Sequence, residues 1–374
     1  MKIGILTLPL HTNYGGILQA YALQTVLSRL GHNACVIEKE QRPLHLPVWR
    51  KPVKYARRII RNLRGEPYPI FYEQKQNREL PIIRQHTDKF IRKNIRRMTF
   101  SAYSAIIESD FDAIVVGSDQ VWRPQYFDDI RTAYLDFAEG WRIRRMAYAA
   151  SFGTDAWEYS RSKEKECRRL LRMFDAVSVR EASGVELCRE HFGVKAEHVL
   201  DPTMLLDRQD YIRLSAADTT PKSGGTLLNY ILDETPEKVA LIAATANERG
   251  LKPFRVNSKI EDMFAPLSER IQPPVEQWLR GFDDAEFVIT DSFHACVFSI
   301  IFNKPFFAVG NPGRGMSRFK SLLAMFGLED RLLMPDELRS GAEQKATAKD
   351  IDWGDVNNRL TRYKEKSIAF IGRL

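Results

Sequence analysis

The sequence predicts an α/β protein of two units, each a mainly parallel sheet wrapped by helices, with a cleft between them and a helix at the C-terminal end. Two observations predict it. Short apolar runs alternate with helix-period segments up to about Leu206, and the same alternation restarts at Ser223 after a Pro/Lys/Ser/Gly run, Thr219 to Gly225. The boundaries expected are therefore 1–206, 207–345 and a helical tail at 346–374, with a basic helical insertion at about 41–98 in the first unit.

The first unit opens on an apolar strand, Lys2 to Thr7, followed by HTNYGGILQAYALQTVLSRLG. Asn13 or Thr12 caps a helix there, Ile17, Leu18, Tyr21 and Ala22 form its inward face, and Gly31 stops it. Gly15 and Gly16 sit at the helix start, where missing side chains let a ligand approach backbone N–H groups; Asn13 and Tyr14 flank them. This is not a GxGxxG fingerprint, so no dinucleotide is implied. Ala34 to Glu38 is the second strand. Prolines between Pro43 and Pro81 then mark loops joining short helices in a basic insertion or flap.

The alternation resumes at Phe111 to Val116, which runs into GSDQVWRP. Ser118, Asp119, Gln120 and Trp122 lie just past the carboxyl end of that strand, and short hydrogen-bonding side chains beside an indole face suit a sugar. Arg144 to Ala150 leads to Ser151, which joins that acceptor set. Strand Ala176 to Val179 delivers Arg180 to its end, and strand Glu197 to Leu200 leads into Asp201.

In the second unit, Thr226 to Leu232, Pro253 to Val256 and Phe287 to Thr290 read as strands, with helices Pro236 to Glu248 and Val275 to Gly281 between them. The stretch AEFVITDSFHACVFSIIFNKPFFAV organises the whole: strand, polar turn, helix Phe293 to Phe302, strand Pro305 to Val309. Ligands of open α/β sheets sit beyond strand carboxyl ends, so the turn with Asp291, Ser292 and His294 is where chemistry is expected. Gly313 to Ser317 forms a flexible turn, with Arg314 and Arg318 beside it. The segment after Ile351 reads as a long helix.

Composition bounds the partners. The chain of 374 residues carries a formal charge of +8, and seven basic residues without one acid fall between Arg50 and Arg64, with Val53, Ala56, Ile60 and Leu63 at helical spacing. An anionic membrane surface or an anionic substrate suits such a segment, as does a solvated surface helix. Nucleic acid does not, because neither an aromatic platform nor a helix-turn-helix accompanies it. The four cysteines are far apart and lack metal-ligand spacing, so free thiols, no metal and a reducing compartment are expected. No run of about 18 apolar residues occurs, and a cytoplasmic protein is expected, with a peripheral place on the inner membrane face.

NYGGILQAYALQ, IVVGSDQVW, AYAASFG, VSVREASG, VLDPTMLL and TDSFHACVFSIIFNKPF, in this order from Ile3 to Leu328, resemble the motif series of the polysaccharide pyruvyl transferase family. The resemblance implies a GT-B-like pair of Rossmann-type domains. It also implies transfer of the enolpyruvyl carbons of phosphoenolpyruvate to two sugar hydroxyls as a ketal, the acceptor being carried on a lipid diphosphate, with phosphoenolpyruvate as a substrate and no cofactor. By resemblance His294 is the general acid/base and Arg180 an anion clamp; Asn13, Tyr14, Gly15, Gly16 and Ser292 are further candidates at the donor, and Arg314 and Arg318 are candidates for an anion contact there. Many members carry an arginine two residues before the histidine, where this chain has Ser292. Two other classes share these features: a GT-B glycosyltransferase using a nucleotide sugar, and a non-catalytic membrane-surface protein of a polysaccharide assembly complex.

Overall fold

A computed structural model describes residues 1–216, 220–311, 315–339 and 350–374. Among them the first sheet holds β1 (Lys2–Leu6), β2 (Asn33–Lys39), β3 (Arg97–Phe100), β4 (Ala113–Val116), β5 (Arg144–Ala150), β6 (Ala176–Val179) and β7 (Glu197–His198), in the order β3-β2-β1-β4-β5-β6-β7. The second holds β8 (Leu227–Tyr230), β9 (Pro253–Phe254), β10 (Phe287–Thr290), β11 (Phe306–Val309) and β12 (Leu332–Leu333), in the order β12-β11-β10-β8-β9. Neighbouring strands in both pair in parallel. The architecture is α/β, two Rossmann-like units in a GT-B-like arrangement.

Strand alternation assigns the cores. Ile3 and Ile5 pack with Ile17 and Leu18 of the helix Tyr14–Arg29, while Leu6, Ile114 and Val116 point to the other face of the sheet. In the second sheet Val288 joins the same core as Ile3, whereas Phe287 and Ile289 face away. One core thus runs through both units. Tyr14 stacks on Trp278 at 5.4 Å, so apolar contact fixes how the sheets face each other.

The insertion differs from the flap expected. It contains three helices, Lys51–Leu63, Tyr72–Ile83 and Gln85–Asn94, but it ends in β3, which pairs with β2 and supplies the edge of the sheet. Pro52 lies in the first turn of its helix, where the missing N–H has no partner to lose, and Pro81 lies inside another, so neither marks a loop. The insertion also grips the second unit. Buried Glu79 accepts a hydrogen bond from Arg270, and Gln272 donates its N–H to the Ile83 carbonyl at 2.9 Å and its amide to the Thr12 carbonyl at 3.0 Å.

Helices Arg208–Ala216 and Met316–Phe326 occupy segments read as connections, the second overlapping the expected turn at Gly313 to Ser317. Arg314 lies outside the described residues, as does Thr219 of the expected hinge. The last helix, Trp353–Ile371, is capped by Asp352 and returns to the first unit: Ser367 accepts from the Leu200 N–H at 3.1 Å, and Phe370 lies 6.3 Å from Tyr148. Among the described residues no helix is long and apolar enough to cross a membrane.

Candidate active site

The segments following β1, β4, β8, β10 and β11 converge on one cavity of about 510 Å³ between the units. This is where parallel sheets place ligands, since backbone groups just past a strand end are free of ladder hydrogen bonds. Asn13, Gly15, Asp119, Gln120, Ser292 and His294 all line it, and Arg318 does too. Residues expected at donor and acceptor from distant parts of the chain therefore line one cavity. Asn13 also acts within its own helix, where its side chain accepts from the Gly16 N–H at 3.2 Å and caps Tyr14–Arg29.

His294 sits in the first turn of the helix Phe293–Ile301, which Ser292 precedes without a side-chain cap bond, leaving that hydroxyl to the cavity. Asp291 is fully buried and structural. It accepts from the Leu232 and Asp233 N–H groups at 2.7 and 3.1 Å and from Lys238 at 2.7 Å, tying the turn after β10 to the turn after β8. The imidazole, 7% exposed, lies against Gly15, and its Nε2 comes within 3.6 Å of Asp201 Oδ2 from the first unit. That distance is too long for a hydrogen bond and short enough for the charge to act.

Asp201 is held on every side. Thr203 donates its N–H at 3.0 Å and its hydroxyl at 2.7 Å to one oxygen, and Arg180 donates at 2.8 Å to the other. Burial works to raise its pKa, but His294, Arg180 and Thr203 outweigh burial and hold the carboxyl well below the usual range. Asp119, at a left-handed φ of 71°, receives the other arm of Arg180 at 3.1 Å, and its pKa is lowered in the same way, against burial, by Arg180, His294 and Arg318.

This arrangement corrects the clamp expected of Arg180. Its side chain is 1% exposed, its guanidinium is neutralised by Asp119 and Asp201, and it does not line the cavity. Arg180 instead ties Asp119 to Asp201, and its guanidinium lies 4.6 Å over the Phe293 ring. Two other arginines line the cavity: Arg123, which donates to Glu158, and Arg318, 5.5 Å over the same ring. Burial, then the neighbouring Arg180, pulls its pKa down to about 10, so an incoming anion would relieve a like-charge contact.

Five further expectations change. Tyr14 is 1% exposed and donates to the Pro273 carbonyl at 2.7 Å, so it joins the units and does not meet a donor. Gly16 does not line the cavity. Ser118 is buried and donates to the Ala149 carbonyl at 3.1 Å. Ser151 donates at 3.0 Å to Glu181, whose own pKa burial raises. Trp122 is 0% exposed, stacked on Tyr134 at 5.3 Å, with its indole N–H donated to the Ala133 carbonyl; it is core and offers no face to a sugar. The aromatic ring lining the cavity from this segment is Tyr126, 44% exposed.

A family model described as polysaccharide pyruvyl transferase matches residues 13–313. The chain belongs to that family. Among solved structures, UDP-GlcNAc 2-epimerase from Neisseria meningitidis bound to UDP-GlcNAc is similar over 100% of both chains, at 11% identity and a TM-score of 0.49. Arabidopsis thaliana UGT89C1 complexed with UDP-L-rhamnose is similar over 98% of this chain and 94% of its own, at 12% identity and a TM-score of 0.49. No curated protein matches the chain in sequence.

In this pyruvyl transferase family member, sequence reasoning missed Asp201 as the carboxylate facing His294, and Tyr126, Asp233, Asn311 and Gln272 as cavity residues. For Asp201 the signal was present, an aspartate directly after a strand in VLDPTMLL. Asp233 and Asn311 likewise follow β8 and β11. Nothing local marks Gln272, which reaches the cavity because the insertion holds its segment there.

Proposed function

We propose that the cavity transfers the enolpyruvyl carbons of phosphoenolpyruvate to two hydroxyls of a sugar, as a ketal, with release of phosphate. The observation that carries this reading is the meeting, in a member of this family, of His294 and the buried cation Arg318 at one cavity, with Asp201 of the other unit buried behind the imidazole. In the reaction the methylene carbon gains a proton, one sugar oxygen bonds to the central carbon, the bond from that carbon to the phosphate oxygen breaks, and the second sugar oxygen takes its place. Of the two hydroxyl protons lost, one balances the new methyl group and the other leaves with phosphate.

Each step has a residue suited to it. Asp201 favours a proton on His294 Nε2, a tautomer assigned from the carboxylate's position, which leaves Nδ1 beside Gly15 to take the proton of a sugar hydroxyl or to deliver one to the methylene carbon. Arg318 offers a planar fork to the donor's carboxylate or phosphate, and Ser292 with the first N–H groups of the helix Phe293–Ile301 offers donors. Arg318 also approaches the turn where other members carry an arginine in place of Ser292. Gln120 and Tyr126 supply a hydrogen-bonding group and a ring face for the acceptor, read as a sugar carried on a lipid diphosphate.

The test is phosphate release from phosphoenolpyruvate with galactose-, mannose- and glucuronate-type acceptors. Release matched by a new ketal methyl signal in NMR, and abolished in His294→Ala, is the expected result. No release with any acceptor, together with calorimetric binding of a nucleotide sugar and none of phosphoenolpyruvate, would overturn it.

A further inference from the structure

The helix Lys51–Leu63 is amphipathic with its polar anchor inward and its apolar stripe outward. Its one buried residue is Arg58, which donates to both Glu73 oxygens at 2.8 and 2.7 Å and to the Ile70 carbonyl at 2.7 Å. Tyr68 and Tyr72 cover that guanidinium at 5.5 and 5.7 Å. The apolar residues face water: Val53 is 55% exposed, Ile60 48% and Leu63 82%, and in the preceding turn Trp49 is 72% and Val48 73% exposed.

Trp49, Val53, Ala56, Ile60 and Leu63 recur at steps of four and three, which makes them one stripe. Arg50, Lys54, Arg57, Arg61 and Arg64 lie beside it, with no acid between Arg50 and Arg64. The exposed pair of Arg61 with Glu66 does little to offset that charge. A contiguous exposed stripe of Trp, Ile, Leu and Val marks a surface that something covers.

We infer that this helix docks on an anionic lipid bilayer, its stripe in the boundary between headgroups and acyl chains and its cations among the headgroups. The border decides the occupant. A protein's apolar patch would match the stripe without needing a rim of cations alone, and a nucleic acid would match the cations but leave Ile60 and Leu63 in water. The segment leaves from the carboxyl end of β2, the end of the sheet at which β1 and β4 run into the cavity. The inference goes beyond the proposed reaction and does not rest on it.

The experiment is co-sedimentation of the full chain with vesicles of phosphatidylcholine alone and of phosphatidylcholine mixed with phosphatidylglycerol. The chain is expected on the anionic vesicles and only weakly on the neutral ones. Changing Arg57, Arg61 and Arg64 to Gln should weaken binding roughly hundredfold, at about fivefold for each cation lost. Trp49→Ser with Leu63→Ser should weaken it by about tenfold or more. Because all five positions are exposed, both variants should keep the wild-type melting temperature and the phosphate release seen with a water-soluble acceptor. Binding to neither vesicle, equal binding to both, or binding that survives the Trp49 and Leu63 changes would overturn the inference. So would a solution dimer lost in Leu63→Ser, which would place a second copy on the stripe. Vesicle binding that behaves as expected in a protein inert to phosphoenolpyruvate would count against the reaction alone.

Discussion

Gly15→Ala should disable the imidazole without unfolding the protein. A Cβ on Gly15 would stand 2.0 Å from His294 Nδ1, 2.3 Å from Cγ and 2.6 Å from Cε1. Ordinary contact begins near 3.4 Å, so the ring must retreat by about 1.4 Å, away from a cavity whose reacting groups need near-contact geometry. A misplacement on the order of 1 Å costs roughly 100-fold in turnover. Stability should change less: alanine in the first turn of the helix Tyr14–Arg29 gains up to about 1 kcal/mol in helix propensity, against about 1–3 kcal/mol for overpacking. Gly16→Ala is the control, since its Cβ would meet only the Asn13 side chain, at 3.6 Å, and it should raise the melting temperature while leaving turnover unchanged. The assay is steady-state phosphate release, thermal melting and the NMR chemical shifts of the imidazole. A Gly15→Ala protein that keeps more than half of wild-type turnover, with unaltered imidazole chemical shifts, would refute the argument.

Asp201→Asn removes the charge facing His294 and one partner of buried Arg180, so it should cost about 3–5 kcal/mol of stability, measured by urea unfolding. The folded Asp201 pKa lies far below the unfolded value near 4, so its contribution is present at neutral pH and declines as pH falls below about 4; the variant should lose less stability along that acid limb. Trp122→Ala should cost about 3–5 kcal/mol and leave the acceptor KM unchanged, whereas Tyr126→Ala should raise that KM with a stability change within about 0.5 kcal/mol. Arg318→Met should weaken phosphoenolpyruvate binding by roughly 10- to 100-fold in calorimetry.

The sequence alone determined the alternation of strands and helices and hence two parallel sheets, because period-2 and period-3.6 patterns and turn residues are local properties. It also pointed to strand ends, and Asn13, Gly15, Asp119, Gln120, Ser292, His294 and Arg318 of the residues it singled out line one cavity. Edge strand β3 was illegible, since RMTF pairs on one side only and buries almost nothing, so no apolar pattern betrays it. Only the tertiary structure decided which residues of a turn face the cleft. Ser118 and Trp122 point into the core while Asp119 and Tyr126 line the cavity, because the packing of Tyr134 and the strands around them, not composition, sets each direction. The same holds for charge: Arg180 and Asp201 end successive strands and neutralise each other before either meets a ligand, and His294 finds its carboxylate in the opposite unit. A side chain's local sequence gives its chemistry and its distance from a strand end. What surrounds it depends on segments far away in the chain, and burial and pairing, which choose between a ligand contact and a structural ion pair, exist only once those segments have packed.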